Sequence, residues 1–355
     1  MTAVIPSIHI YNEKTKLINA NGMAGKVAVI GAFDSVETEP KLFNSIKECQ
    51  DTFGDDVENY NGCAVVPYLF EGASSLLCVN FTTRTSSGGA TTTDKTLNVT
   101  KLTNCLAKIK GEDFDILYIA EILTDSYLPI ITTFLDNVYE MKCPAGYVGA
   151  LNGASTSANV TSAGLAGDHC YGLLTQQVQL SGDDSALNLI CSGAYYCGVI
   201  AGLNVGNSMT MKQVPKLIGI SPELSFETGG DGKALLEAGI TTIKCQDRGN
   251  DVYIVVNSEQ PNGYDLYINR VRDYVVKMFA LTQFLGDRNR TLTLNAVKQE
   301  VDRVANICVN QLDLLEAINY EVVKKDSSCI EINIDSLVFA GIITRINVYV
   351  RVEVE

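Results

Sequence analysis

Apolar residues recur along this chain at two spacings, and the changes between them mark the successive elements. Val27 to Ile30, Leu76 to Phe81, Ile116 to Ala120 and Tyr147 to Leu151 are short apolar runs that predict strands. Between them, helices are predicted over Glu39 to Phe53, Ala64 to Glu71, Leu97 to Ile109 and Leu128 to Tyr139. In the first of these Leu42, Ile46 and Cys49 share one face, and Gly54 stands just beyond the end. Strands alternating with helices predict a mostly parallel sheet covered by helices. Two stretches rich in small residues, Thr82 to Thr96 and Gly153 to Gly167, read as surface loops. The most apolar stretch, Ala186 to Leu203, reads as a buried helix. Asn188, Ser192 and three glycines make it a poor membrane span.

Pro215, Pro222, Gly229, Gly230 and Gly232 cluster where a boundary is expected, and the pattern beyond them differs. Thr242 to Cys245 and Val252 to Val256 predict strands joined by a polar turn. Asn269 is placed to cap a helix carrying Val271, Tyr274, Val275, Met278 and Leu285. A longer helix from Ala296 shows Val297, Val301, Val304, Cys308, Leu312 and Leu315 at three- and four-residue spacing, and a strand is expected at Cys329 to Ile334. The predicted fold class is therefore an α/β N-terminal and middle domain followed by a C-terminal α+β domain, with an extended β arm at each terminus. The expected division is 1–20, 21–220, 221–341 and 342–355.

The two ends carry the alternating pattern of strands. Ile8 and Ile10 alternate with His9 and Tyr11. At the other end Ile346, Val348, Val350, Val352 and Val354 fall on one face. An unpaired strand of this kind invites edge-to-edge association, so it pairs either within its own subunit or with another. Ten residues at ~3.3 Å each reach ~33 Å, enough to cross to a neighbour. A strand donated head-to-tail from each subunit to the next builds an open helical filament.

Composition narrows the function. A chain of 355 residues exceeds what one core usually supports, so two folded units are expected. Forty-one acidic against 27 basic residues give a net charge of −14, which repels phosphate backbones and argues against nucleic-acid partners. Eleven scattered cysteines without a Cys-x-x-Cys read as buried, reduced thiols made in a reducing cytoplasm. Met1 to Ile10 lacks the basic and apolar regions of a signal peptide, so no export signal and no membrane partner are expected.

Candidate chemistry is sparse. His169 lies beside Cys170, but sequence neighbours seldom have the geometry of a nucleophile–base pair. Gly229 to Lys233 resembles a phosphate loop, yet Glu227 and Ala234 stand where that loop needs Gly and Ser or Thr. Val27 to Gly31 opens like a dinucleotide-binding strand, but Phe33 and Val36 replace the later glycines. No catalytic, metal or cofactor-binding residue is assigned, no cofactor is expected, and the chain is not expected to be an enzyme.

Four segments resemble the contractile tail sheath family of phages and R-type bacteriocins, including those of the diffocin kind. They are the small-residue run Gly193 to Thr210 leading to Val214 and Pro215; Ala234 to Ile243; Tyr267 to Val275 with its Arg270, Val271 and Asp273; and the helix to Leu315 followed by strands. Their order and spacing agree over roughly 190–355. The N-terminus departs from the family, with Pro6, Ser7 and Ile8 in place of Pro-Gly-Val-Tyr. The resemblance implies a structural subunit that polymerises around an inner tube and contracts to drive it through a target envelope. It implies partners in the tube, baseplate and tail terminator proteins, and assembly into a particle released on lysis. It also implies that 21–220 faces outward and that 221–341 faces the tube, with Arg288 and Arg290 as candidates for tube contact. The alternative, from a different class, is a cytosolic α/β enzyme binding a nucleotide, an acyl group or a similar small ligand at the 26–150 sheet.

Overall fold

The computed structural model describes residues 25–87, 90–140, 144–152, 155–279, 284, 290–326 and 329–341. Its centre is a six-stranded sheet. Strand β1 is Lys26–Gly31, β2 Lys41–Phe43, β3 Ser75–Asn80, β6 Ile116–Leu123, β7 Gly146–Leu151 and β8 Cys170–Leu174, in the order β2-β3-β1-β6-β7-β8. Every pairing is parallel except that of the edge strand β2. All six residues of β3 and of β7 are buried, which explains why these strands read as continuous apolar runs. The helices α1 (Ile46–Phe53), α2 (Asn61–Leu69), α3 (Val99–Ile109), α4 (Leu128–Glu140) and α6 (Leu189–Gly202) belong to this body.

Helix α6 is uniformly apolar because it is buried, as expected. Its contact with α2 is made at backbone distance. A Cβ at Gly198 would overlap the carbonyl oxygen of Tyr68 and lie 2.9 Å from that of Leu69. Ser45 and Asn98 cap α1 and α3 by accepting from Glu48 N and Lys101 N.

The region 39–53 is not one helix: Lys41–Phe43 pairs with β3, and Leu42 is half exposed. The Thr82 to Thr96 stretch is a hairpin, β4 (Thr83–Ser87) with β5 (Ala90–Asp94). The second small-residue stretch contains helix α5 (Thr156–Ala163), capped by Ser155. Strands β8 and β9 (Gln177–Leu180) were not expected; β9 forms an antiparallel pair with β10 (Leu217–Ser221), which holds Ile218 of the segment that resembles a family strand.

Beyond these lie helix α7 (Asp231–Glu237), the hairpin β11 (Ile243–Asp247) with β12 (Val252–Val255), helix α8 (Leu266–Met278) and helix α9 (Thr291–Asn306). A π-helical turn at Ile307–Gln311 follows, and β13 (Ala317–Lys324) pairs with β14 (Ile330–Val338). Asp265, not Asn269, caps α8; Asn269 is buried inside the helix.

The apolar side chains form two clusters. The first surrounds the large sheet and includes Leu235, Ile240, Ile243, Val255 and Leu266. The second is built by Val271, Tyr274 and Val275 of α8 against Val297, Val301 and Val304 of α9, with Cys308 and Leu315 beyond it. Helix α8 thus stands between the two clusters.

Candidate functional site

The crevice where open α/β sheets usually hold ligands lies at the carboxyl ends of the strands, at the point where strand order reverses. Here that point is between β1 and β6, and backbone fills it. Gly62 N donates to Ala32 O at 2.8 Å, and a Cβ at Gly31 would lie 2.7 Å from the Cα of Gly62. A Cβ at Gly62 would be 2.9 Å from the Phe33 ring. Glu121, at the end of β6, accepts from Asn61 Nδ2 at 3.3 Å, and burial raises its carboxyl pKa. Phe33, which replaces a glycine of the dinucleotide fingerprint, is itself part of the filling.

The other chemical candidates are structural in their contacts. Cys170 is buried; its thiol is pushed up to about 12 by that burial and donates to Gln260 Oε1 at 3.5 Å. His169 faces away, with Nε2 3.4 Å from Asp136 and Nδ1 3.8 Å from Asp273, so the neighbours form no nucleophile–base pair. Gly230 precedes the short helix α7, and Lys233 lies 3.8 Å from Glu237. Among the described residues no group of three or more His, Cys, Asp and Glu is placed to hold a metal ion. Eight of the described cysteines are buried.

What the fold does concentrate is a buried polar seam along α8, where the two clusters meet. At its start, Asp265 Oδ2 accepts from Ser208 Oγ (3.0 Å), Thr210 Oγ1 (2.8 Å) and Ser258 Oγ (2.7 Å). Its Oδ1 accepts from Tyr267 N at 3.0 Å. One carboxylate therefore caps the helix and fixes two loops. One turn on, the fully buried Arg270 donates to the carbonyls of Leu203 (2.9 Å) and Asn204 (3.3 Å), at the C-terminal end of α6. Leu203 is the C-cap of α6, so the negative end of the helix dipole faces the guanidinium, while Asn204 O also accepts from Asn207 N at 3.0 Å. Burial lowers the pKa of Arg270, as desolvation penalises its charged form.

Asp273 completes the seam. It is fully buried and accepts from Tyr171 OH (2.8 Å) and Arg272 Nε (3.0 Å). Burial alone pushes its carboxyl pKa up, but His169 and Arg272 outweigh that and hold it below the ordinary value. Near the helix end, Lys277 Nζ donates to Phe114 O (2.7 Å) and Asp115 Oδ1 (2.8 Å), at the start of β6. The Ser208, Thr210, Arg270 and Asp273 motifs, picked out in the sequence by resemblance, are thus among the residues that lock α8 to the α/β body.

The hairpin β13–β14 is the second notable surface. Tyr320 packs 6.2 Å from the ring of Phe279 and donates to Asp302, and Tyr267 OH donates to Ala340 O at 2.5 Å. Both outer edges lack a third strand among the described residues. The hairpin ends at Val338, just before the alternating C-terminal segment. Arg290 is exposed at the start of α9. Ile8, Ile10, Tyr11, Arg288, Ile346, Val348, Val350, Val352 and Val354 lie outside the described residues.

The architecture matches solved structures of tail sheath proteins. A sheath tail protein from Desulfitobacterium hafniense superposes with a TM-score of 0.65 at 12% identity, covering 90% of this chain and 97% of that one. One from Listeria innocua gives 0.62 at 13%, covering 90% and 94%. The helical sheath of the anti-feeding prophage, in its contracted state, gives 0.64 at 13%, covering 98% and 99%. No family model matches the sequence, and no curated protein matches it. The chain has the fold of the contractile tail sheath proteins. The likeness extends over nearly the whole of each sheath chain, so the α/β body and the α8–β14 unit both belong to that fold.

Proposed function

We propose that this chain is the structural subunit of a contractile tail sheath, a helical homopolymer around an inner tube that shortens to drive the tube through a cell envelope. The carrying observation is the sheath fold over 98% of the chain, shared with a helical sheath. The two-stranded β13–β14 sheet supports a mode of linkage. Its edges, which have no third strand among the described residues, can accept strands, and Val4 to Lys14 and Ile342 to Glu355 have the alternating sequence of strands in need of a partner. In this reading each hairpin receives terminal strands from neighbouring copies, and the open head-to-tail pattern generates a helix.

The outer body is 21–220 and the tube-facing part is 221–341, with 221–266 as a layer whose apolar residues join the first cluster. Arg290, exposed on α9, and Arg288 are candidates for tube contact. The partners are further copies of this chain, the tube, the baseplate and the terminator. The particle assembles in the cytoplasm and leaves on lysis. The chain has no catalytic role in this reading; the filled crevice between β1 and β6 supports that over a nucleotide-binding enzyme.

Negative-stain electron microscopy of the concentrated chain, beside a variant ending at Gly341, tests the proposal. Tubes or stacked rings from the full chain that vanish on truncation are expected. Small closed particles from both, together with specific thermal stabilisation by a nucleotide, would replace it with the enzyme reading.

A further inference from the structure

Two thiols face each other between α1 and the large sheet. Cys49, on α1, and Cys78, on β3, have their sulfurs 3.9 Å apart although they stand 29 positions apart in the chain, and both side chains are buried. Neighbouring thiols turn to oxygen instead: Cys63 donates to Phe53 O at 3.6 Å and Cys191 to Ala64 O at 3.9 Å. A disulfide holds its sulfurs ~2.0 Å apart, so the gap to close is about 2 Å. Rotation of one side chain about χ1 moves a sulfur that far.

Helix α1 is the cover over this pair. It has eight residues, of which only Cys49 and Phe53 are buried. Its start is held by reciprocal caps: Ser45 Oγ accepts from Glu48 N at 3.3 Å, and Glu48 Oε2 accepts from Asn44 N at 2.8 Å. A short helix that buries two side chains opens more readily than the buried strand beneath it. Burial pushes the Cys78 thiol pKa well above its ordinary value, so Cys78 reacts only when α1 lifts and water reaches it.

We propose that Cys49 and Cys78 form a disulfide once the chain leaves a reducing compartment, with peroxide as the oxidant and the opening of α1 as the gate. The Cys49 thiolate attacks hydrogen peroxide. The O–O bond breaks, a sulfenic acid forms on Cys49, and the departing hydroxide takes the thiol's proton to become water. The Cys78 thiolate then attacks the Cys49 sulfur, the S–S bond forms, and the hydroxide of the sulfenic acid leaves with the Cys78 proton as a second water. Two thiols and one peroxide thus give one disulfide and two waters. The bond ties α1 to β3 and closes the chain around α2, which stabilises the α/β body. The pair stands on its geometry; only the timing, after release on lysis, rests on the sheath reading.

The test exposes the dispersed full-length chain to hydrogen peroxide, blocks the remaining thiols with N-ethylmaleimide in denaturant, and maps the peptides by mass spectrometry without reduction. A peptide joining Cys49 to Cys78 at monomer mass, and a melting temperature raised by several degrees, are expected, both reversed by dithiothreitol. Cys78→Ala should lose both effects, and Cys63→Ala should keep both. Ser45→Ala weakens the start of α1 and should speed the linkage several-fold. No linked peptide in the native chain, Cys63 in place of either partner, or an unchanged rate in Ser45→Ala would overturn the proposal. None of these readouts depends on polymerisation, so failure here is distinct from failure of the sheath reading.

Discussion

Asp265→Ala removes the residue on which the start of α8 depends. The carboxylate takes four hydrogen bonds, three from hydroxyls and one from the backbone of Tyr267. Losing the cap costs ~1 kcal/mol. The hydroxyls of Ser208, Thr210 and Ser258 lose a charged acceptor, and each such bond contributes ~1.5–3 kcal/mol. They are not all orphaned, because Ser258 Oγ lies 3.0 Å from Thr210 Oγ1 and 3.1 Å from Ser208 Oγ, so a chain of two bonds can re-form. The net loss should therefore be about 3–5 kcal/mol, well below the plain sum of four bonds. Asp265→Asn keeps an acceptor oxygen for the helix and should lose only about 1–2 kcal/mol. Urea unfolding of the dispersed subunit, followed by circular dichroism because the chain has no tryptophan, reads both values. A loss below ~1 kcal/mol for Asp265→Ala would refute the claim that this carboxylate locks the seam.

Two further perturbations probe the same frame. The folded pKa of Asp273 is lowered, so its contribution to stability is complete above its unfolded value of ~4 and is lost as pH falls through the folded value. The stability difference between the native chain and Asp273→Asn should shrink as pH drops from 5 toward 3 in a series of urea titrations; a constant difference would contradict the assignment. Gly198→Ala forces a methyl group into the Tyr68 carbonyl, and the ~1–3 kcal/mol cost of overpacking should exceed the ~1 kcal/mol gained in helix propensity. A lowered melting temperature by calorimetry is expected, and a raised one would mean that α2 and α6 separate freely.

Four of the five strands that pair in parallel, β1, β3, β6 and β7, were legible in the sequence because burial on both faces leaves no polar alternation to confuse them; β8 was not expected. Helix α6 was legible for the same reason. The first helix was overextended because Leu42, Ile46 and Cys49 happen to keep helical spacing, although Leu42 faces solvent from an edge strand. The Thr-rich hairpin carries no apolar face and so gave no periodic signal. The short helix α5 gave little signal either, but its cap, Ser155 accepting from Ala158 N, was readable. Strand β13 alternates Ile318, Tyr320 and Val322 and could have been found by its period of two.

The seam was harder to find. Arg270 and Asp273 look like the wet face of an amphipathic helix, and only the arrival of β8 and the end of α6 buries them. Asn269 looked like a cap because it precedes an apolar run. Asp265 holds that role, while Asn269 reaches Asn262 and the Cys170 carbonyl. Neither the strand pairing of β13–β14 nor its open edges follow from local pattern, since both depend on partners distant in the chain or on other chains.

The linkage itself is the central claim, and a helical reconstruction of assembled tubes by electron cryomicroscopy tests it most directly. Density for a strand beside β13 and another beside β14 is expected, each traceable to the termini of neighbouring copies. Edges that stay empty in the tube, or that are filled by the same chain's own termini, would contradict it.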